Sequence, residues 1–468
     1  MTGNGTQGER TGMSDQRAAL VTMVVSSFAL PLMLSAVNVA LPSVAQALHM
    51  DAVALSWVQL IFLTCSAATV LSFGRLADLL GRKRVFVWGI RTLLVSSLLA
   101  AFARSAEWLL FARAIQGFSA AMVYSTHIAI LTSVYPPEQR GKAIGTLVAA
   151  VYFGLTCGPL LGGWLIQTWG WQAAFLAHLP LTLLVLLFGV RRLRGEWRAD
   201  SPGRFDRAGA LLYGGSIVLL MWGGTHLPGF VGLCSLGGGA VGLIAFFRHQ
   251  HGRQDPLLDV RLFYTNRVFA LSSLASLLMY ATTYSTLVLV SLYLQYLKAL
   301  TPMQAGLVML AQPSVSAVLS PVAGRLSDRT EPRVIASLGV AITGLGLWLL
   351  STLSASSALW EAIACLLATG LGFSLFSSPN ANAIMSGVPR SLYGTAGGVV
   401  ATMRILGQLA SMGLVAMVFA LTMGRVEITP ATYPALERAL ETSFLVGALI
   451  CLLALACSLA RGRLHTTA

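Results

Sequence analysis

Charge is scarce in this sequence. Only 10% of its 468 residues are Asp, Glu, Lys or Arg, and lysine occurs three times against 28 arginines. None of the 17 acidic residues lies deep in an apolar run; Glu361, at the edge of one, comes nearest. Six cysteines all fall inside apolar runs, without metal-ligand spacing or a disulfide framework. HExxH and a phosphate-cradling glycine loop are missing, and the longest polar stretches after the N-terminus, 191–207 and 248–267, are too short to house a soluble catalytic domain. These absences argue against an enzyme, a nucleotide-driven pump, a metal site and a cofactor. Residues 1–16 lack the basic start and cleavage site of a signal peptide, so the first apolar run reads as an uncleaved anchor.

What is abundant is apolar surface. The chain is 56% hydrophobic with a mean hydropathy of +0.75, more than one soluble core of this length can hide. Fourteen runs are long enough to cross a hydrocarbon core of about 30 Å as helices. They cover residues 17–41, 53–73, 84–103, 107–133, 142–166, 172–190, 208–225, 229–247, 268–292, 303–323, 334–352, 359–384, 392–421 and 441–460. The net charge of +14 would suggest nucleic acid in a soluble protein. Its distribution gives a different meaning. With both termini in the cytoplasm, 24 of the 31 Lys and Arg fall inside and four outside, leaving Arg91, Arg113 and Arg404 within spans. That is the positive-inside bias of a multi-pass membrane protein, with no nucleic-acid partner. The arginine excess suggests a GC-rich bacterial genome and hence the inner (cytoplasmic) membrane.

A charged knot, "GRLADLLGRKR" at 74–84, follows the second span. A weaker copy, "GRLSDRTEPR" at 324–333, follows the second span of the last six. The repeat divides the chain into a six-helix half (1–190), a basic linker with two inserted helices (191–247), and a linker with a second six-helix half (248–468). Paired halves of this kind rock about a substrate site between them, near the bilayer midplane. The expected fold is thus all-α and membrane-embedded: two six-helix bundles with two additional helices between them.

The residues resemble the major facilitator superfamily, in its fourteen-span drug:proton antiporter branch. The loop "GRLADLLGRKR", "RAIQGFSAA" (113–121) in the fourth span and "GLTCGPLLGG" (154–163) in the fifth are similar to that superfamily's signatures. "VNVALP" (37–42), "FDRAGA" (205–210), "LYLQYL" (292–297) and "GTAGGVVATMRILGQL" (394–409) look like branch-specific stretches. The resemblance implies export of small amphipathic or hydrophobic compounds in exchange for protons; the chain is expected to work as a monomer. A facilitator or importer of a small organic solute is the alternative.

Gly74 and Gly81 suit the tight turns of a short connection, and Asp78 and Arg82, four apart, face each other on a helix. The resemblance implies that Asp78 also meets a helix end of the opposite half, latching one state; the plainer reading is a solvated loop. Gly324 and Asp328 repeat the pattern more weakly, since Glu331 and Pro332 replace the second glycine and the arginine. Gly154, Gly158, Gly162 and Gly163 permit close helix approach, and Pro159 removes a backbone donor; the resemblance gives them the role of sealing the interface between halves. Arg113 in the membrane is costly without function, and the resemblance implies proton coupling. Arg404, with Gln408 one turn on, reads either as a substrate contact or as a donor to backbone carbonyls. Arg91 is placed to snorkel. Many relatives carry an acid in the first span where this chain has Met33. His127 and His178 are then the titratable candidates along a proton path, each equally readable as a packing histidine. Trp57, Phe62, Tyr124, Tyr152, Phe153, Tyr280, Tyr284, Phe373 and Phe376 are candidates to line an adaptable apolar cavity.

Overall fold

The computed structural model describes residues 13–462 apart from 194, 199–202, 254, 259, 328–329 and 390–392. Fourteen helices are long and apolar enough to span a membrane. They are α1 (Asp15–Ala47), α2 (Ala52–Leu80), α3 (Arg82–Ala101), α4 (Ala106–Val134), α5 (Gln139–Trp169), α6 (Gln172–Arg192) and α7 (Arg207–Thr225). There follow α8 (Phe230–His251), α9 (Arg267–Leu297), α10 (Pro302–Ser327), α11 (Pro332–Ser351), α12 (Leu359–Ser386), α13 (Ala396–Thr422) and α14 (Pro430–Ala460). Each corresponds to one expected apolar run, and most extend beyond it. Polar residues continue the helices past the hydrocarbon, because helix is limited by caps rather than by hydropathy. Asp51, Ser105 and Asn266 accept N-terminal backbone bonds at the starts of α2, α4 and α9, and Thr301 with Gln304 forms a reciprocal box on α10.

Two spans are less regular than expected. α6 turns at Ala177 and His178, just before Pro180, and has a π-helical turn at 185–189. α9 is interrupted at Tyr284 and Ser285 and ends in a π-helical turn at 293–297.

The packing is duplicated. In the first six helices α1 lies along α5, α2 and α3 along α4, and α3 and α1 touch α6. In the last six α9 lies along α13, α10 and α11 along α12, and α11 and α9 touch α14. The same partners recur with every number raised by eight, so the two bundles are copies of one arrangement. The bundles meet through α2 against α13 and α5 against α10, again a pair related by the same shift. The inserted α7 and α8 pair with each other, and α7 lies on α2 and α13, where Trp222 meets Trp57 edge-on at 6.2 Å.

Candidate functional site

The charged knot is a single-residue turn. α2 ends at Leu80, α3 begins at Arg82, and Gly81 between them adopts φ +119°, a region closed to side chains. Gly74 was expected to make a second turn, but it lies within the body of α2. A Cβ there would meet only Ser125, at 3.8 Å; the connection is too short to need two glycines. Arg82 donates to Asp78 at 2.8 and 3.0 Å, to the Ala129 carbonyl at 3.1 Å and to Ser133 Oγ at 2.6 Å, tying the turn to the end of α4. Among the described residues Asp78 is bonded only within its own half. Gly324 sits in α10 with ordinary clearance to Ser378, and Asp328 lies outside the described residues.

Both linkers dock on this knot, which their basic composition does not announce. Glu196 accepts from the backbone N–H of Lys83 at 2.9 Å and of Arg84 at 3.3 Å, a carboxylate on the first turn of α3. The backbone N–H of Arg82 donates to the Trp197 carbonyl at 2.8 Å. From the second linker, Asp255 pairs with Arg75 at 3.1 Å and accepts from the Arg204 backbone at 3.2 Å. In "FDRAGA", Asp206 caps α7 through Gly209 and binds His249 and Gln250 of α8 at 2.9–3.0 Å.

The glycines of the fifth span divide between two tasks. A Cβ on Gly154 would lie 2.5 Å from the Phe28 carbonyl and one on Gly162 2.7 Å from Ala36 Cα; one on Gly158 would overlap Ser35. These three bring α5 onto α1 within the same half. Gly163 instead faces the other half, where its Cβ would lie 2.6 Å from the Pro302 carbonyl. Gly306 of α10 likewise abuts the Pro159 carbonyl. Of the five motif residues, Gly163 and Pro159 are the ones placed against the other half. The other three lie one helical face away, directed into their own bundle. The same end of the molecule, opposite the termini, is closed by "VNVALP" against "LYLQYL". Gln295 donates to the Val39 carbonyl at 2.9 Å and Tyr296 to that of Pro42 at 3.4 Å. Beyond them Asp51 and Glu427 form a short antiparallel bridge.

Inside the first half runs a buried polar chain. Arg113 is fully buried, with its guanidinium 4.5 Å from the Phe62 ring centroid. It donates to the Val58 carbonyl at 2.8 Å, to Gln116 Oε1 at 2.9 Å and to Gln59 Oε1 at 2.7 Å. Gln59 continues to Asn38 at 2.5 Å, and Gln116 to Ser97 at 2.9 Å. Met33 lies against this chain, its Sδ 3.7 Å from Gln116 Nε2. No carboxylate is bonded to Arg113 among the described residues; neutral acceptors take its place. Ser97 directs its own proton to the Leu93 carbonyl at 2.7 Å. His178 Nε2, 3.2 Å away, must therefore be the donor, and its Nδ1 is a buried acceptor without a partner among the described residues. Asn38, Gln59 and Gln116 were not singled out in the sequence, although amides within apolar runs are a usable signal.

Between the halves lies a cavity of about 240 Å³, lined by α1, α4, α5, α9, α10, α12 and α13. It collects His127, Arg404, Gln408, Tyr124, Tyr152, Tyr280, Tyr284 and Phe373 from the expected residues. Arg113, His178, Trp57, Phe62, Phe153 and Phe376 are not among its walls. Phe376 is core, Phe153 is exposed, and Arg91 is exposed as expected for a snorkelling side chain. Tyr152 bonds Ser377 of the opposite half at 2.7 Å. His127 is held by two serines: Ser26, whose proton goes to backbone carbonyls at 2.9 and 3.0 Å, accepts from Nε2 at 3.0 Å. Ser27 donates to Nδ1 at 2.9 Å. Arg404 lies with its guanidinium 5.5 Å from the Tyr124 ring centroid. It donates to no backbone carbonyl among the described residues.

Comparison with known proteins gives a consistent picture. The family model described as Major Facilitator Superfamily matches residues 23–412. The riboflavin transporter RibZ of Clostridioides difficile is 29% identical over 84% of this chain and 86% of its own length. The multidrug resistance protein Stp of Mycobacterium tuberculosis is 30% identical over 86% and 76%. The tetracenomycin C resistance and export protein of Streptomyces glaucescens is 28% identical over 80% and 71%. Among solved structures, a bacterial homologue of the human lysosomal transporter Spinster, in an inward-facing and unoccupied conformation, superposes with a TM-score of 0.65. It shares 16% identity over 96% of this chain and 97% of that one, a likeness of fold.

Proposed function

The chain belongs to the major facilitator superfamily, and from that premise we propose that it exports small amphipathic or aromatic compounds by proton antiport and alternating access. The observation that carries this reading is the cavity walled by both halves, beneath an end closed by Gly163 on Pro302 and by Gln295 on Val39. A solute site shared by two duplicated bundles changes sides when the bundles rock. The named resistance and export relatives favour the outward direction. The halves divide as 1–190 and 248–468 with 191–247 inserted, the termini lie in the cytoplasm, and the chain works as a monomer in a bacterial inner membrane. His127, on the cavity wall, is the proton carrier; Asp78 is the gating carboxylate.

The carboxylate-free surroundings of Arg113 favour a second reading, a proton-independent facilitator of a small organic solute such as the riboflavin relative's name suggests. Dye accumulation in cells expressing the chain, with and without a protonophore, separates the two. Export by antiport predicts lower accumulation that the protonophore abolishes. Raised accumulation, or lowered accumulation indifferent to the protonophore, would overturn it.

A further inference from the structure

We propose that the central cavity selects aromatic solutes bearing a negative charge and discriminates against cations of the same shape. The proposal deepens the transport reading and rests on it for the location of the solute site.

Three observations carry it. First, the cavity has a cation and no anion. Arg404 is on its wall, and no Asp or Glu is among the described lining residues. Arg404 also has no hydrogen-bond or ion-pair partner among the described residues; its guanidinium lies over the face of Tyr124, at 5.5 Å. An arginine at membrane depth without a counter-ion is costly, and its planar fork matches a carboxylate or sulfonate in two parallel bonds. Arg113, fully buried in the first half, is held by neutral acceptors only, so it adds to the positive field instead of cancelling it. The one titratable imidazole on the wall, His127, has both ring nitrogens bonded to serines and supplies no negative charge.

Second, two further polar atoms of lining residues are buried and unsatisfied. The Tyr284 hydroxyl and Gln312 Oε1 have no partner among the described residues. Unpaired buried groups are uncommon in folded proteins and point to a missing ligand or water. The Tyr284 O–H is a donor for the same anionic group, and Gln312 Oε1 is an acceptor for a phenol or N–H elsewhere on the solute.

Third, the remaining wall is aromatic. Tyr280 and Phe373, from α9 and α12, meet edge-on at 5.5 Å, and Tyr124 lies across from them on α4. A cavity of about 240 Å³ with this wall suits a small aromatic body.

The test uses three probes of one shape: 2-naphthoate, neutral 2-naphthalenemethanol and 2-naphthylmethylammonium. Binding to the purified full-length chain in lipid nanodiscs is followed by calorimetry. The expected order is naphthoate tightest, by at least tenfold over the ammonium. Arg404→Gln removes that preference, and Arg404→Lys keeps part of it, because a point charge replaces the fork. Tyr284→Phe, which removes one oxygen and leaves the packing, weakens naphthoate several-fold with little change for the alcohol. Equal binding of the anion and the cation by the unaltered chain, or an anion preference that survives Arg404→Gln in a protein of unchanged thermal stability, would overturn the proposal. The transport reading fails separately. Arg404-dependent naphthoate binding without any expulsion from cells leaves the proposal standing and removes the export reading. Expulsion of the ammonium, with binding as tight as that of the anion, does the reverse.

Discussion

Arg113 is the residue whose environment departs most from expectation. A charge within the membrane ordinarily finds an opposite charge, yet here three of its N–H groups donate to a carbonyl and two glutamines, and its guanidinium lies over an aromatic ring. Arg113→Gln removes the donor that Gln59 Oε1 and Gln116 Oε1 share. Leaving buried acceptors unpaired costs about 1–3 kcal/mol each, so the variant should melt well below the unaltered protein in detergent thermal scans. Met33→Asp inserts a carboxylate beside Gln116, in reach of the same network. It should make export depend more steeply on external pH, measured as initial efflux rates across pH 5.5–8; an unchanged profile would separate Met33 from the coupling path. His127→Gln should abolish pH-gradient-driven export while equilibrium solute exchange persists in proteoliposomes. The sequence pointed to Arg113, His127 and Arg404 because polar groups in apolar runs are conspicuous. It did not show that Arg113 and His178 share one sealed chain while His127 and Arg404 face the cavity. That distinction depends on which helix lies opposite, and hydropathy along a single run carries no such information.

At the scale of elements, the glycines of α5 separate stability from gating. Gly158→Ala pushes a methyl into Ser35 within one bundle and should cost about 1–3 kcal/mol. Gly163→Ala pushes against Pro302 of the other bundle; it should spare the melting temperature and raise solute leak through proteoliposomes. Equal effects of the two would dissolve the division of labour. The spacing in "GLTCGPLLGG" showed that close approach was needed, but not against which helix. The clip of α7 and α8 offers a second check. Burial alone would raise the Asp206 pKa, but the Gly209 N–H, His249 and Gln250 together hold it below its ordinary 3.8. A carboxyl held low stabilises fully at neutral pH and loses that contribution only as pH falls through the lowered value. Asp206→Ala should therefore cost about 1 kcal/mol at neutral pH through the lost cap, with the deficit shrinking in strong acid.

For the whole molecule, the repeated charged knot foretold the duplication, and apolar runs foretold all fourteen spans, because a bilayer demands a fixed length of greasy helix. What pairs across the halves was hidden. "VNVALP" and "LYLQYL" lie far apart in the chain, and only the fold brings Val39 to Gln295. The knot, read as a latch, is also where both linkers dock through Glu196 and Asp255. Asp78→Asn loosens the Arg82 tie at that junction and should slow export without lowering the amount of protein in the membrane. Rocking requires the end opposite the termini to open in every cycle. His49 and Glu427 approach across that end at 3.9 Å, and both are exposed. With cysteines at these two positions joined by a bifunctional thiol reagent, the account predicts that export stops and returns when the link is cleaved. Undiminished export through a fully cross-linked protein would contradict it.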